Sequence, residues 1–122
     1  MRKNKDKKYY TFHHPVYPFK IEFYIGHTKT ELNKKGWGIG DKAAGFTWQD
    51  EMIIRIWVEK KRLGEVPTYV HELYHACHFM FEECGVKDYS EAMAYNLEYM
   101  IDQYQTGLRE YRRREKQLKE KK

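Results

Sequence analysis

One short run, His71-Glu72-Leu73-Tyr74-His75, limits what its surroundings can become. It stands in a largely apolar segment, with Val70, Ala76, Cys77, Phe79 and Met80 around it. Histidines on a segment headed for burial need polar partners. On a helix, residues four apart share a face, so both imidazoles can hold one metal ion. Glu72 then stands beside that ion rather than on it, placed to take a proton from a water the metal activates. A surface helix with scattered polar residues, or two satisfied core histidines, is the blander explanation. The apolar neighbours favour the metal, and the spacing points to a zinc-dependent hydrolase acting on peptide bonds.

The same run fixes its local structure. Pro67 and Thr68 read as a helix start, with Thr68 as the cap, and Gly85 as a left-handed stop, giving a helix over 68–83. Ser90 reads as the cap of a last helix beginning at Glu91. Met93, Leu97, Met100, Ile101, Tyr104, Leu108 and Tyr111 recur there at helical spacing, a stripe that suits core packing. Residues 112–122 are charged and are expected to fray as a tail.

Upstream, residues 1–10 read as a basic disordered arm. Residues 16–25 (VYPFKIEFYI) alternate apolar and polar, the signature of a strand, with Pro18 near its start. Thr28 or Thr30 is expected to cap a short helix through Glu31, Leu32 and Lys35. Gly36, Gly38 and Gly40 then form a turn; no Lys-Ser/Thr follows them, so they are not read as a phosphate loop. Residues 45–48 form a short strand, and 49–51 a tight connection. Residues 52–58 (MIIRIWV) form the strongest strand, mainly apolar on both faces, expected to be covered on one side and to line a cleft on the other. The order predicts a single α+β domain over 11–111: a small sheet with helices packed on it.

At 122 residues with 41% hydrophobic and 16% aromatic content, the chain has a globular composition and enough length for a core. No run approaches the ~18 apolar residues of a membrane span. The start, MRKNKDKKYY, has no apolar run behind its basic residues, unlike a secretory signal. Cys77 and Cys84 are seven apart, roughly 10 Å along a helix axis and out of disulfide reach. Free thiols fit a reducing, cytoplasmic setting. The net charge of +5 is concentrated at the ends, 1–8 and 109–122, leaving the span between them net negative. Basic ends can attract nucleic acid, though solvated tails are the commoner use of such runs. The partner favoured is a peptide or protein substrate, with no membrane.

Two histidines leave a catalytic zinc site one protein ligand short. Glu91, opening the next helix, is the leading candidate, because a helical hairpin can return it to His75 and an acid suits a helix N-terminus. His78 shares the face of His71 and His75 but lies roughly 10 Å from His71 along one straight helix. Asp88 is a third choice. Tyr95, four residues after Glu91, and His78 are candidates for stabilising an oxyanion.

HELYH followed by Ser90-Glu91-Ala92-Met93-Ala94-Tyr95 resembles the gluzincin branch of the zincin metallopeptidases. The small size and strand order are similar to minimal zincin-like domains, including SprT-like proteins and short peptidases carried by phages. The resemblance is motif-specific over about 67–100 and architectural over 16–58. It implies a zincin-like fold, one Zn²⁺, His71, His75 and Glu91 as ligands, and Glu72 as general base. It also implies an edge strand that binds substrate in extended form, which 52–58 or its neighbour would supply. Thermolysin-like enzymes have an Asp four residues after the third ligand; here that position is Tyr95. A catalytically silent, zincin-like binding module is the alternative.

Overall fold

A computed structural model describes residues 9–87 and 90–120. The fold is α+β: a four-stranded mixed sheet with two long helices on one face and a short helix on the other. Strands β1 (Tyr9–His13), β2 (Lys20–Tyr24), β3 (Gly45–Asp50) and β4 (Ile53–Val58) lie in the order β1-β2-β4-β3. β1 and β2 are antiparallel, with Tyr10 opposite Phe23 and Phe12 opposite Ile21. β2 and β4 are parallel, and β3 returns antiparallel to β4 through a two-residue turn at 51–52. In that turn Glu51 has φ 56°, a left-handed backbone that costs a non-glycine residue about 1–2 kcal/mol. The Gln49 amide donates to the Glu51 carbonyl at 2.8 Å and helps hold it.

Alternation along β2 and β4 decides which residues meet. Ile21 and Phe23, with Ile54, Ile56 and Val58, face helices α2 (Val66–Cys84) and α3 (Ser90–Glu120). Leu73, Ala76, Cys77, Met80 and Phe81 from α2, and Met100, Tyr104, Leu108 and Tyr111 from α3, complete this core. Tyr104 ties its parts together. Its ring stacks on Tyr69 at 4.5 Å and meets Phe23 edge-on at 5.5 Å, and its hydroxyl donates to the Leu63 carbonyl at 2.8 Å.

On the other face, Trp57 and its partly buried neighbours Tyr24, Phe46 and Trp48 pack with Leu32, Trp37 and Ile39. Leu32 belongs to α1 (Lys29–Lys34), whose N-cap is Thr28: its hydroxyl accepts from the Glu31 amide, and the Glu31 carboxylate accepts from the Thr28 amide. The glycine-rich segment is a turn, as expected. Asn33 clamps it by donating to the Ile39 carbonyl and accepting from the Ile39 amide. β4 is therefore covered on both faces rather than lining a cleft, which explains an apolar run broken only by Arg55. Beside the aromatic cluster, Glu22 accepts from Arg55 (2.9 Å) and Tyr24 (2.8 Å), while Arg55 also pairs with Asp50. This charge group closes on itself across β2, β4 and β3.

Five further boundaries differ from expectation, the first being β3, whose pairing with β4 takes in Gln49 and Asp50 from the connection expected over 49–51. Tyr9 and Tyr10 belong to β1, inside the span read as an arm; the Tyr10 hydroxyl donates to Gln103 at 2.9 Å and docks the strand under α3. The strand read over 16–25 is only Lys20–Tyr24, because the segment before it is a turn built around His14. Thr68 is not the cap of α2. The cap is Glu65, Pro67 occupies the first turn, and the Thr68 hydroxyl donates back to the Glu65 carboxylate. Gly85 stops α2 as expected, at φ 72°, with its N–H on the Phe81 carbonyl. Finally, α3 continues past Tyr111 to Glu120, supported by Arg113 and Arg114 on Glu110. Among the described residues, no helix is long and apolar enough to cross a membrane.

His14 yields a pH prediction. The amides of Val16 and Tyr17 donate to its Nδ1 at 3.1 and 3.2 Å, so Nδ1 carries no proton. The proton is on Nε2, which donates to Asn96 Oδ1 at 2.7 Å. Burial lowers the imidazole from its ordinary 6.5, with the Asn96 bond opposing part of that shift. The fold thus favours neutral His14, while the unfolded chain protonates near 6.5. Its contribution is fully present above that value and is lost as pH falls through the depressed folded-state pKa. The stability gap between wild type and His14→Ala, measured by urea unfolding, should therefore shrink as pH is lowered from about 7 to about 5.

Candidate metal centre

The helical period of α2 sets the site. Tyr69, Leu73, Ala76, Cys77 and Met80 are buried, so His71, His75 and Tyr74 fall on the solvent side. The two imidazoles converge: Nε2 of His71 and Nε2 of His75 are 3.1 Å apart, with ring centroids 4.7 Å apart and planes at 88°. Two donors each ~2.0–2.1 Å from one tetrahedral ion stand about 3.3 Å apart, so the pair fits two positions of a zinc site. The same spacing serves an N–H···N bond between neutral imidazoles.

Glu72 sits at the border between solvent and core, only 6% exposed. It is turned toward strand β3, where the Thr47 hydroxyl is 2.6 Å from Oε1 and 3.2 Å from the Glu72 carbonyl. A hydroxyl has one proton to give, and the short contact to the carboxylate is the stronger. Gly45, two residues earlier on the same face of β3, makes room. A Cβ there would stand 2.7 Å from Glu72 Cγ and 2.8 Å from Oε2, closer than packed atoms approach.

The other sequence candidates are placed apart. Glu91 is exposed in the first turn of α3. His78 stacks on Tyr74, with centroids 6.5 Å apart, and lies 3.8 Å from the Glu82 carboxylate one turn on. Tyr95 is 68% exposed on α3. Asp88 lies outside the described residues. Among the described residues, no three His, Cys, Asp or Glu side chains gather as a metal-binding group. The structure therefore brings His71 and His75 together with Glu72 beside them, and among the described residues it adds no third donor. Cys77 is no substitute: it faces the core, and burial pushes its thiol up to about 12, away from thiolate chemistry. Both cysteines are free.

Gly45 and Thr47 were not singled out from sequence. Their only signal is two small residues at alternate positions of a strand, and nothing along the chain relates them to Glu72. Comparison of the chain with protein-family models, curated proteins and solved structures finds no match.

Proposed function

We propose that the chain is a zinc-dependent peptide-bond hydrolase of zincin-like build, acting in the cytoplasm. The observation that carries the reading is the convergence of His71 and His75 on an exposed helix face beside the nearly buried Glu72 carboxylate. His71 and His75 would hold the ion, with Glu91 as the proposed third ligand.

Zinc there would supply a Lewis acid for the scissile carbonyl and a water acidified toward a pKa of ~7. Glu72 would serve as the general base there, taking up a proton at its carboxylate and returning it to the leaving amine, so that it would end each cycle ionised again. The apolar packing of Leu73, Ala76 and Met80 keeps α2 fixed while this happens. Strand β3 adds a place for substrate. β4 lies inside the sheet between β2 and β3, so its neighbour β3 is the edge, and no described residue pairs with its outer side. An extended peptide can add there as a further strand, its backbone beside Glu72.

Purified protein should carry one zinc per chain and cleave an unfolded protein, and His75→Ala should lose both. A zinc-loaded protein that cleaves no peptide would favour the silent binding module instead. The third ligand is tested by comparing Glu91→Ala with His78→Ala. Zinc affinity should fall on the order of 100-fold for Glu91→Ala, and the melting temperature of the loaded protein should fall with it, because binding is linked to folding. His78→Ala should leave both nearly unchanged; the reverse order would assign the third position to His78.

A further inference from the structure

We infer that Thr47 is a positioning residue for the general base, holding the Glu72 carboxylate against edge strand β3 in the space that Gly45 leaves open. The inference rests on the proposed hydrolase reading and concerns the part of it supplied by the strand rather than by the metal helix.

A glutamate side chain has three torsions, and their freedom must be lost before a proton can move to a defined oxygen. Burial alone does not fix them. Glu72 is 6% exposed, and among the described residues the side chain that hydrogen-bonds its carboxylate is Thr47, whose Oγ1 lies 2.6 Å from Oε1. Engaging Oε1 leaves Oε2 free to take the proton. Gly45 completes the arrangement from the same strand face, since a Cβ there would collide with Cγ, Cδ and Oε2 at 2.7–2.9 Å. The base is thereby indexed to the very strand whose open edge is proposed to carry the substrate. One rigid element would set both reacting partners. A base displaced by about 1 Å loses on the order of 10²-fold in rate, so such indexing has kinetic consequences.

The test uses the full chain and three variants. Thr47→Val keeps the shape and removes the hydroxyl, Thr47→Ser keeps the hydroxyl, and Gly45→Ala inserts the methyl. Thr47→Val should lower kcat about 10- to 100-fold with KM within about twofold. It should still carry one zinc and melt within a few degrees of wild type. Thr47→Ser should recover kcat to within about threefold, and Gly45→Ala should lower it at least as far as Thr47→Val. A readout independent of turnover is the crystal structure of zinc-free Thr47→Val, in which the Glu72 carboxylate should leave the strand. Wild-type kcat in Thr47→Val, equal losses in the Val and Ser variants, or a carboxylate that stays on β3 without the hydroxyl would each overturn the inference. If wild type binds zinc but cleaves nothing, the hydrolase reading fails by itself, and the carboxylate position in Thr47→Val still decides what Thr47 does.

Discussion

Glutamine at position 72 should leave zinc bound and remove hydrolysis. The substitution keeps the size and shape of the side chain. Its amide oxygen can still accept from the Thr47 hydroxyl, which lies 2.6 Å from Glu72 Oε1 in the wild type. What it cannot do is accept a proton at neutral pH. A positioned general base contributes about 10²–10⁴ in rate, so kcat should fall by that factor for Glu72→Gln. Zinc content should remain one per chain, because His71 and His75 are untouched. Stability should hold as well, since the change removes a charge from a nearly buried site rather than creating one. Metal analysis and steady-state kinetics on the same preparation decide the matter. Loss of zinc together with activity would make Glu72 a structural residue instead.

The largest loss of stability should follow Tyr104→Ala. Tyr104 is 1% exposed and joins four parts of the fold: Tyr69 on α2, Phe23 on β2, the Leu63 carbonyl before α2, and α3 itself. Deleting a buried aromatic ring costs about 3–5 kcal/mol through lost transfer energy and the cavity left behind. Tyr104→Phe keeps the ring and strands the Leu63 carbonyl, at about 1–3 kcal/mol. Domains of this kind have about 5–15 kcal/mol in total, so the alanine variant should be close to unfolding at room temperature. Urea denaturation should show both midpoints lowered in that order with similar slopes. Equal effects would mean that the hydroxyl, not the ring, dominates.

What could be read along the chain was local in space. The cap of the short helix, expected at Thr28 or Thr30 and found at Thr28, the stop at Gly85 and the His71/His75 pair each involve residues within four positions of one another. Boundaries set by distant partners were less legible. Tyr9 and Tyr10 adjoin a lysine-rich stretch and look like an arm; pairing with Tyr24 and Phe23 makes them a strand. The strand expected over 52–58 runs over Ile53–Val58, and its second apolar face, expected to line a cleft, is covered in part by Trp37 and Ile39, which sit in a glycine-rich turn of low apparent hydrophobicity. Thr68 is the cap that the sequence suggests, yet Pro67 is accommodated inside the first turn, so the helix starts upstream with Glu65 as its cap. The candidate site divides in the same way. His71, Glu72 and His75 were legible because one helix carries them; Gly45 and Thr47 were not, being 27 and 25 residues away on a strand.

The parallel seam between β2 and β4 has a kinetic consequence. β1 and β2 are joined through residues 14–19, and β3 and β4 through residues 51–52, so each antiparallel pair can zip from a short loop. The seam must instead wait for residues 25–44, which separate β2 from the β3–β4 hairpin, to be drawn into a crossover. Loop-closure entropy rises with the logarithm of that length and is met before the seam's own contacts repay it. The expected order of assembly is therefore two hairpins formed early and joined late, which pulsed hydrogen exchange during refolding would show as β1–β2 and β3–β4 amides protected before those of the β2–β4 seam. The slow event is the one that brings Ile21 and Phe23 beside Ile54 and Ile56, giving α2 and α3 a complete surface on which to settle.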